Sequence, residues 1–276
     1  MSFTPPDPAA TPRAPGEISA GTDGATGRVT PYGAHVFSWI PAGHDEVLYV
    51  SPRAVLDGSK PIRGGIPVCF PWFGAGGSGD ATPAHGTVRR DTWEVRERRG
   101  DGAAFATRAG GFGISLDASF GDTLTLRVAV TRTADDAAAF ELALHSYFAV
   151  SEASAVSVTG LAGARGLDSL TGETFEQDTE PIRFAAEYDR VFTGCPGPQT
   201  LHDPGLKRKI VITPDNLPSA IVWNPHAAKA GRMSDLGADQ YPRFVCIESG
   251  RVRQDAVTLR PGETFEASVG IAVEAA

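Results

Sequence analysis

TLTLRVAVT (residues 123–131) reads as a β-strand before anything else about the chain is known. Leu124, Leu126, Val128 and Val130 recur at every second position. A period of two sends one set of side chains to a buried face and the other set away from it. FELALHSYF (residues 140–148) obeys the same rule. Phe140, Leu142 and Leu144 face one way, and Glu141, Ala143, His145 and Tyr147 face the other. If the aliphatic set enters the core, His145 is carried on the opposite face, which in a sandwich is either solvent or the lining of a cleft.

Working outward, HVFSWI (35–40) and VLYV (47–50) are separated by PAGHDE, which reads as two strands joined by a turn. VSVTGL (156–161), KIVIT (209–213), AIVWN (220–224) and FVCIES (244–249) read as further strands. A Pro261–Gly262 turn precedes a last alternating strand in which Phe265, Ala267, Val269, Ile271 and Val273 share a face. Helical signals are weak, and a short turn within residues 227–236 is the best candidate. Many short strands between turn residues mean an all-β domain. The expectation is a single large antiparallel β-sandwich with few short helices over residues 17–276. Residues 1–16, rich in Pro, Ala and Thr, are expected to form a disordered tail.

Bulk properties narrow the function. The 33 acidic and 25 basic side chains give a formal net charge of -8, which argues against a nucleic-acid-binding face but not against a local basic pocket. Three cysteines, Cys69, Cys195 and Cys246, are odd in number and lack C-x-x-C spacing, so buried free thiols in a reducing compartment are expected. No apolar run approaches the ~20 residues of a membrane helix, and the N-terminus has no apolar signal region. The expectation is a cytoplasmic monomer with no membrane or nucleic-acid partner.

One stretch concentrates chemistry: PIRGGIPVCFPWFGAGGSGDATPAHGTVRRDTW (residues 61–93). Arg63 stands beside Gly64–Gly65, where glycine lets backbone approach whatever Arg63 holds. An aromatic cluster of Phe70, Trp72 and Phe73 suits the apolar face of a sugar ring, with His85 close by in sequence to Arg89. Two arginines from separated segments suit an anion such as phosphate, because each guanidinium offers a planar fork of donors. The plainer reading, a Gly/Pro-rich loop whose arginines pair with surface carboxylates, is favoured by composition alone.

Acid–base work is the chemistry that the remaining motifs allow. The six histidines are scattered, none at H-x-x-x-H spacing, and P-loop, dinucleotide and nucleophile-elbow patterns are absent. No metal or cofactor is therefore expected. His145 is the leading proton donor or acceptor. Glu248 follows four apolar residues in FVCIESG, where burial could raise a carboxylate toward the operating pH. Asp189 in EYDRVF could accept hydrogen bonds from sugar hydroxyls. Each also has a structural alternative: a hydrogen-bonded strand histidine, an exposed turn glutamate, an ordinary ion pair.

Taken in order, RGGIPVCFPWFG, HGTVRRDTWEV, ALHSYF, YDRVF, VWNP and FVCIESG resemble the aldose 1-epimerase (mutarotase) superfamily, in particular its glucose-6-phosphate 1-epimerase branch. The resemblance implies a galactose mutarotase-like supersandwich and interconversion of the α and β anomers of a hexose 6-phosphate without a cofactor. It assigns His145 and Glu248 as the acid–base pair, Arg63 and Arg89 to the phosphate, and Asp189 to the sugar; Trp72 and His85 are further candidate contacts. Ala84 stands where relatives often carry glutamine, Thr87 and Val88 replace a larger residue and alanine, and His226 stands where tryptophan is common. Those departures bear on which sugar is accepted. Two other readings stay open: an epimerase of unphosphorylated aldoses, and a non-catalytic sugar-phosphate binder.

Overall fold

The computed structural model describes residues 14–76, 79–195 and 197–276. Within these, two eight-stranded antiparallel sheets are accompanied by a three-stranded and a two-stranded sheet. The back sheet is centred on Thr123–Arg132, flanked by Phe112–Phe120 and Thr264–Ala275. Its alternation is the one the sequence carries: Leu124, Leu126, Val128 and Val130 are buried, as are Phe265, Ala267, Val269 and Ile271, while Val273 is half-buried. Each such side chain contributes roughly 1.5–3 kcal/mol on burial.

The front sheet runs Thr174–Glu176, Arg165–Asp168, Tyr188–Thr193, Ser219–Asn224, Phe244–Arg251, Leu142–Leu144 and Val68–Cys69, with Tyr147–Ala149 also paired to Phe244–Arg251. Its inner face, including Val222, Val245, Ile247, Leu142 and Leu144, joins the back sheet in one core. Register fixes the other face. Ile221 pairs with Glu248, Trp223 with Cys246, Asp189 with Trp223 and Val191 with Ile221, so these residues share it. Phe244 to Gly250 are buried without a break. A strand covered on both faces loses alternation, which is why FVCIES reads as an apolar run.

FELALHSYF departs from a continuous strand. It is divided into Ala138–Phe140, Leu142–Leu144 and Tyr147–Ala149. At the first joint the Glu141 N–H donates to the Pro71 carbonyl, and its carboxylate accepts from the backbone N–H of Phe73 (2.9 Å) and of Arg253 (2.7 Å). At the second joint the His145 N–H donates to the Pro67 carbonyl. The two-way facing survives both breaks: Phe140, Leu142 and Leu144 lie in the main core, Ala143 and Tyr147 in clusters apart from it.

Other expectations are adjusted. Residues 47–50 form no regular strand; Leu48 and Val50 make single bridges to Phe148 and Gly64. The helical segment is His226–Gly231, followed by turns to Leu236. No helix among the described residues is long and apolar enough to cross a membrane. Of the expected tail, residues 1–13 lie outside the described residues. Ala14 is buried and the Pro15 carbonyl accepts from Thr30 Oγ1, so these residues are docked rather than loose.

Candidate active site

Glu248 sits mid-strand on the outer face of the front sheet, and the break after Leu144 brings His145 beside it. His145 Nδ1 lies 3.2 Å from Glu248 Oε1. The approach is off-line for a hydrogen bond, and both His145 Nδ1 and Glu248 Oε2 lack a hydrogen-bonding partner among the described residues. Burial is the largest influence on both groups. It pushes the Glu248 carboxyl well above the usual range, with Asp189 adding to the rise and Arg89 opposing it. It pulls the His145 imidazole well down, helped by His85, Arg63 and Arg89. Two ionisable groups of opposite type, buried and in contact, can exchange a proton with a third group placed between or above them.

Rings fix the imidazole. Tyr147 stacks on it at 4.7 Å between centroids and 9° between planes. Trp223 meets it edge-on at 6.0 Å, and His85 lies 5.7 Å away. His85 is held in a left-handed conformation (φ 63°), packs edge-to-face on Phe73 at 4.8 Å, and is pulled down to about 3 by burial and the two arginines.

Arg63 enters from the Gly64–Gly65 turn. Its Nη1 donates to the Tyr147 hydroxyl (3.0 Å) and its Nε to Asp235 Oδ2 (3.1 Å). Burial alone would lower its pKa, but the Tyr147 and Asp235 oxygens outweigh it and the guanidinium is held charged. The glycines serve a different need from the one expected. A Cβ on Gly64 would lie 2.3 Å from the Tyr49 carbonyl oxygen, and one on Gly65 would lie 2.4 Å from that of Val36. They let this turn pass close to the protein's own backbone. The buried His35 braces the turn, with Nε2 2.8 Å from the Gly64 carbonyl.

Arg89 is placed by the short 3-10 turn Val88–Arg90. Its Nη2 donates to the Ala84 carbonyl at 2.7 Å, and its buried Nε has no hydrogen-bonding partner among the described residues. Burial lowers its pKa, and the cation is felt by both His145 and Glu248. Asp189 shares the outer face but is already engaged: Lys229 Nζ lies 3.3 Å from it and 2.9 Å from Glu187.

The fold thus gathers His145, Glu248, Arg63, Arg89, His85 and Asp189 into one cluster whose members touch or act electrostatically on one another. Trp72 stands apart. Its indole Nε1 donates to the Pro83 carbonyl at 3.0 Å. Strand register places Trp223 beside the imidazole. Of the departures, Ala84 presents its carbonyl to Arg89, and His226 packs on Tyr241 at 4.5 Å. Sequence reasoning missed three groups that hold the site. Tyr147 was discoverable, since it lies two residues from His145 on the same face. Asp235 and Lys229 lie in a segment with no periodicity to mark them.

The chain is similar to known proteins over most of its length. Residues 17–272 match the family described as Aldose 1-epimerase. A Cenchrus ciliaris protein named "Putative glucose-6-phosphate 1-epimerase" is 31% identical over 268 residues, covering 87% of this chain and 79% of its own. A protein of the same name from Escherichia coli (strain K12) is 32% identical over 234 residues, covering 79% of this chain and 76% of its own. The crystal structure of a "putative mutarotase" from Salmonella typhimurium aligns with a TM-score of 0.85 at 25% identity, covering 94% of this chain and 90% of that one.

Proposed function

The chain belongs to the aldose 1-epimerase family, and from that premise we propose that it interconverts the α and β anomers of a hexose 6-phosphate, with glucose 6-phosphate as the first substrate to test. The observation that carries the reading is the buried contact of His145 with Glu248 within reach of the charges of two guanidinium groups. Anomer exchange needs a base for the anomeric hydroxyl and an acid for the ring oxygen. Glu248 takes the hydroxyl proton while His145 gives one to O5, and the C1–O5 bond opens. The aldehyde turns about C1–C2, and the ring recloses with the two roles reversed. Protons and electrons balance within the pair, so the step consumes no co-reactant.

Arg63 and Arg89 supply the anion preference. Two charge-assisted contacts to a dianion are worth roughly 1.5–3 kcal/mol each. Arg89, which carries no carboxylate partner here, is the less committed of the two, and Arg63 retains N–H groups beyond those given to Tyr147 and Asp235. Asp189, steadied by Lys229, is the acceptor for a ring hydroxyl.

The test is exchange between the anomers of glucose 6-phosphate, followed by two-dimensional NMR with the spontaneous rate subtracted. Acceleration in proportion to protein, lost in His145→Ala, supports the reading. An exchange rate unchanged at high protein concentration leaves a sugar-phosphate binder. Equal acceleration of glucose and glucose 6-phosphate refutes the phosphate assignment.

A further inference from the structure

The proton transfer just described requires one particular tautomer of the acid–base pair, carboxylate with imidazolium. Burial favours the other, because it raises Glu248 and lowers His145. Arg63 and Arg89 both press on His145, whereas of these two only Arg89 acts on Glu248. Neutralising both guanidiniums therefore removes two influences that hold the imidazole down, one of the two changes that the reactive tautomer needs.

A mechanical connection runs alongside the electrostatic one. Asp235 holds Arg63, Arg63 holds the Tyr147 hydroxyl, and the Tyr147 ring lies flat on the His145 imidazole. Tyr147 is 1% exposed and is further wedged by Phe244 at 5.3 Å and Trp223 at 6.0 Å. A displacement of Arg63 is thus passed to the ring that sets the plane of the general acid. His145 faces Glu248 and Trp223 from the front-sheet strands, His85 and Arg89 from the 61–93 stretch, and Tyr147 from its own segment; among the described residues, of these only Tyr147 is hydrogen-bonded to Arg63.

We infer that Tyr147 is a positioning residue through which an anion seated on Arg63 and Arg89 readies His145 for proton transfer, so that the substrate's phosphoryl group raises the rate of ring opening and does not serve binding alone. This rests on the hexose 6-phosphate reading above. Binding energy from a remote, non-reacting group is then spent at the reacting centre.

The experiment divides the substrate into two pieces. D-xylose lacks C6 and its phosphate but still anomerises; inorganic phosphite dianion supplies the missing anion. With wild-type protein, saturating phosphite should accelerate xylose exchange at least tenfold at unchanged pH and ionic strength. Tyr147→Phe keeps the stacked ring and removes the hydroxyl, and should lose most of that activation. Tyr147→Leu removes the ring as well, and should lower kcat for glucose 6-phosphate tenfold or more with a smaller change in KM. Arg89→Ala should abolish the phosphite effect. Circular dichroism and urea unfolding establish that each variant is folded. The inference is overturned if wild-type protein is active on glucose 6-phosphate while phosphite leaves xylose exchange unchanged or merely inhibits it. It is equally overturned if folded Tyr147→Phe is activated as fully as wild type. Inactivity of the wild type on glucose 6-phosphate would remove the underlying reading and this inference with it.

Discussion

Glu248→Gln separates the chemistry of the site from its stability. The substitution keeps the side chain's size and one oxygen but cannot accept a proton. A general base contributes typically 10²–10⁴ in rate, about 3–5 kcal/mol of barrier, so kcat for glucose 6-phosphate should fall by that factor. Stability should move the other way. Folding raises the Glu248 pKa above its ordinary 4.5 through burial. Below pH 4.5 the residue is protonated folded and unfolded, and costs nothing. As pH rises past 4.5 the unfolded chain ionises while the folded one does not, and stability is lost until the folded pKa is reached. Glutamine has no such penalty. The variant should match the wild type near pH 4 and exceed it at pH 7.5, by ~1.4 kcal/mol for each unit of upward displacement. For a chain of this size that is ~2–4 °C in Tm per kcal/mol. NMR anomer exchange measures the first effect, and urea unfolding at the two pH values the second. Activity within threefold of wild type would refute the assignment of the base. A stability difference that does not grow with pH would refute the buried-carboxylate argument.

Arg63→Ala and Arg89→Ala should each weaken use of glucose 6-phosphate by roughly tenfold to a hundredfold in kcat/KM, from 1.5–3 kcal/mol per charge-assisted contact. Steady-state kinetics against glucose as control would expose the idea as wrong if both sugars suffered equally. His35 is pulled from 6.5 to about 4 by burial, so its contribution is present above pH 6.5 and is lost as pH falls toward 4. His35→Gln should flatten that acid limb by about 3 kcal/mol in urea titrations, and an unaltered slope between pH 7 and 4.5 would count against it. Gly86→Ala puts a Cβ 1.9 Å from the Phe70 carbonyl oxygen at a left-handed φ of 71°, so strain and overlap together should cost about 2–6 kcal/mol. A melting temperature within 2 °C of wild type would contradict the described path of this loop.

The back sheet was legible because its strands obey the simplest rule in the chain: Leu124 to Val130 alternate, and their solvent-side neighbours are Thr, Arg and Ala. The facing of His145 followed from the same rule and holds in spite of two breaks, since those breaks occur where Glu141 and His145 turn their backbone N–H groups to other partners. What could not be read was anything set by contacts across long sequence separations. The tie of the Trp72 indole to the Pro83 carbonyl is one such contact. Trp223 reaches the imidazole through strand register with Asp189 and Cys246, which no local pattern encodes. Gly64 and Gly65 were correctly singled out for the wrong reason: the close approach is to Tyr49 and Val36. Asp235 reaches Arg63 across 172 positions in sequence, and only the folded chain brings the two together.

The distribution of unsatisfied polar atoms supports the proposal that the His145–Glu248 cluster, and not some other part of the front sheet, receives a polyhydroxyl anion. Eight buried side-chain nitrogens and oxygens among the described residues lack hydrogen-bonding partners, and three of them, Arg89 Nε, His145 Nδ1 and Glu248 Oε2, lie in this one cluster. Each unsatisfied buried group costs about 1–3 kcal/mol, and more when charged. A sandwich core this large can tolerate such a cost, but packing alone gives no cause for gathering it at one place. A ligand presenting hydroxyls to the acid–base pair and anionic oxygens to the guanidiniums would satisfy all three together. On that argument the site's affinity should draw more on repairing unmet hydrogen bonds than on burying apolar surface, which also explains why the imidazole is held by rings on its flanks while its nitrogen stays uncommitted.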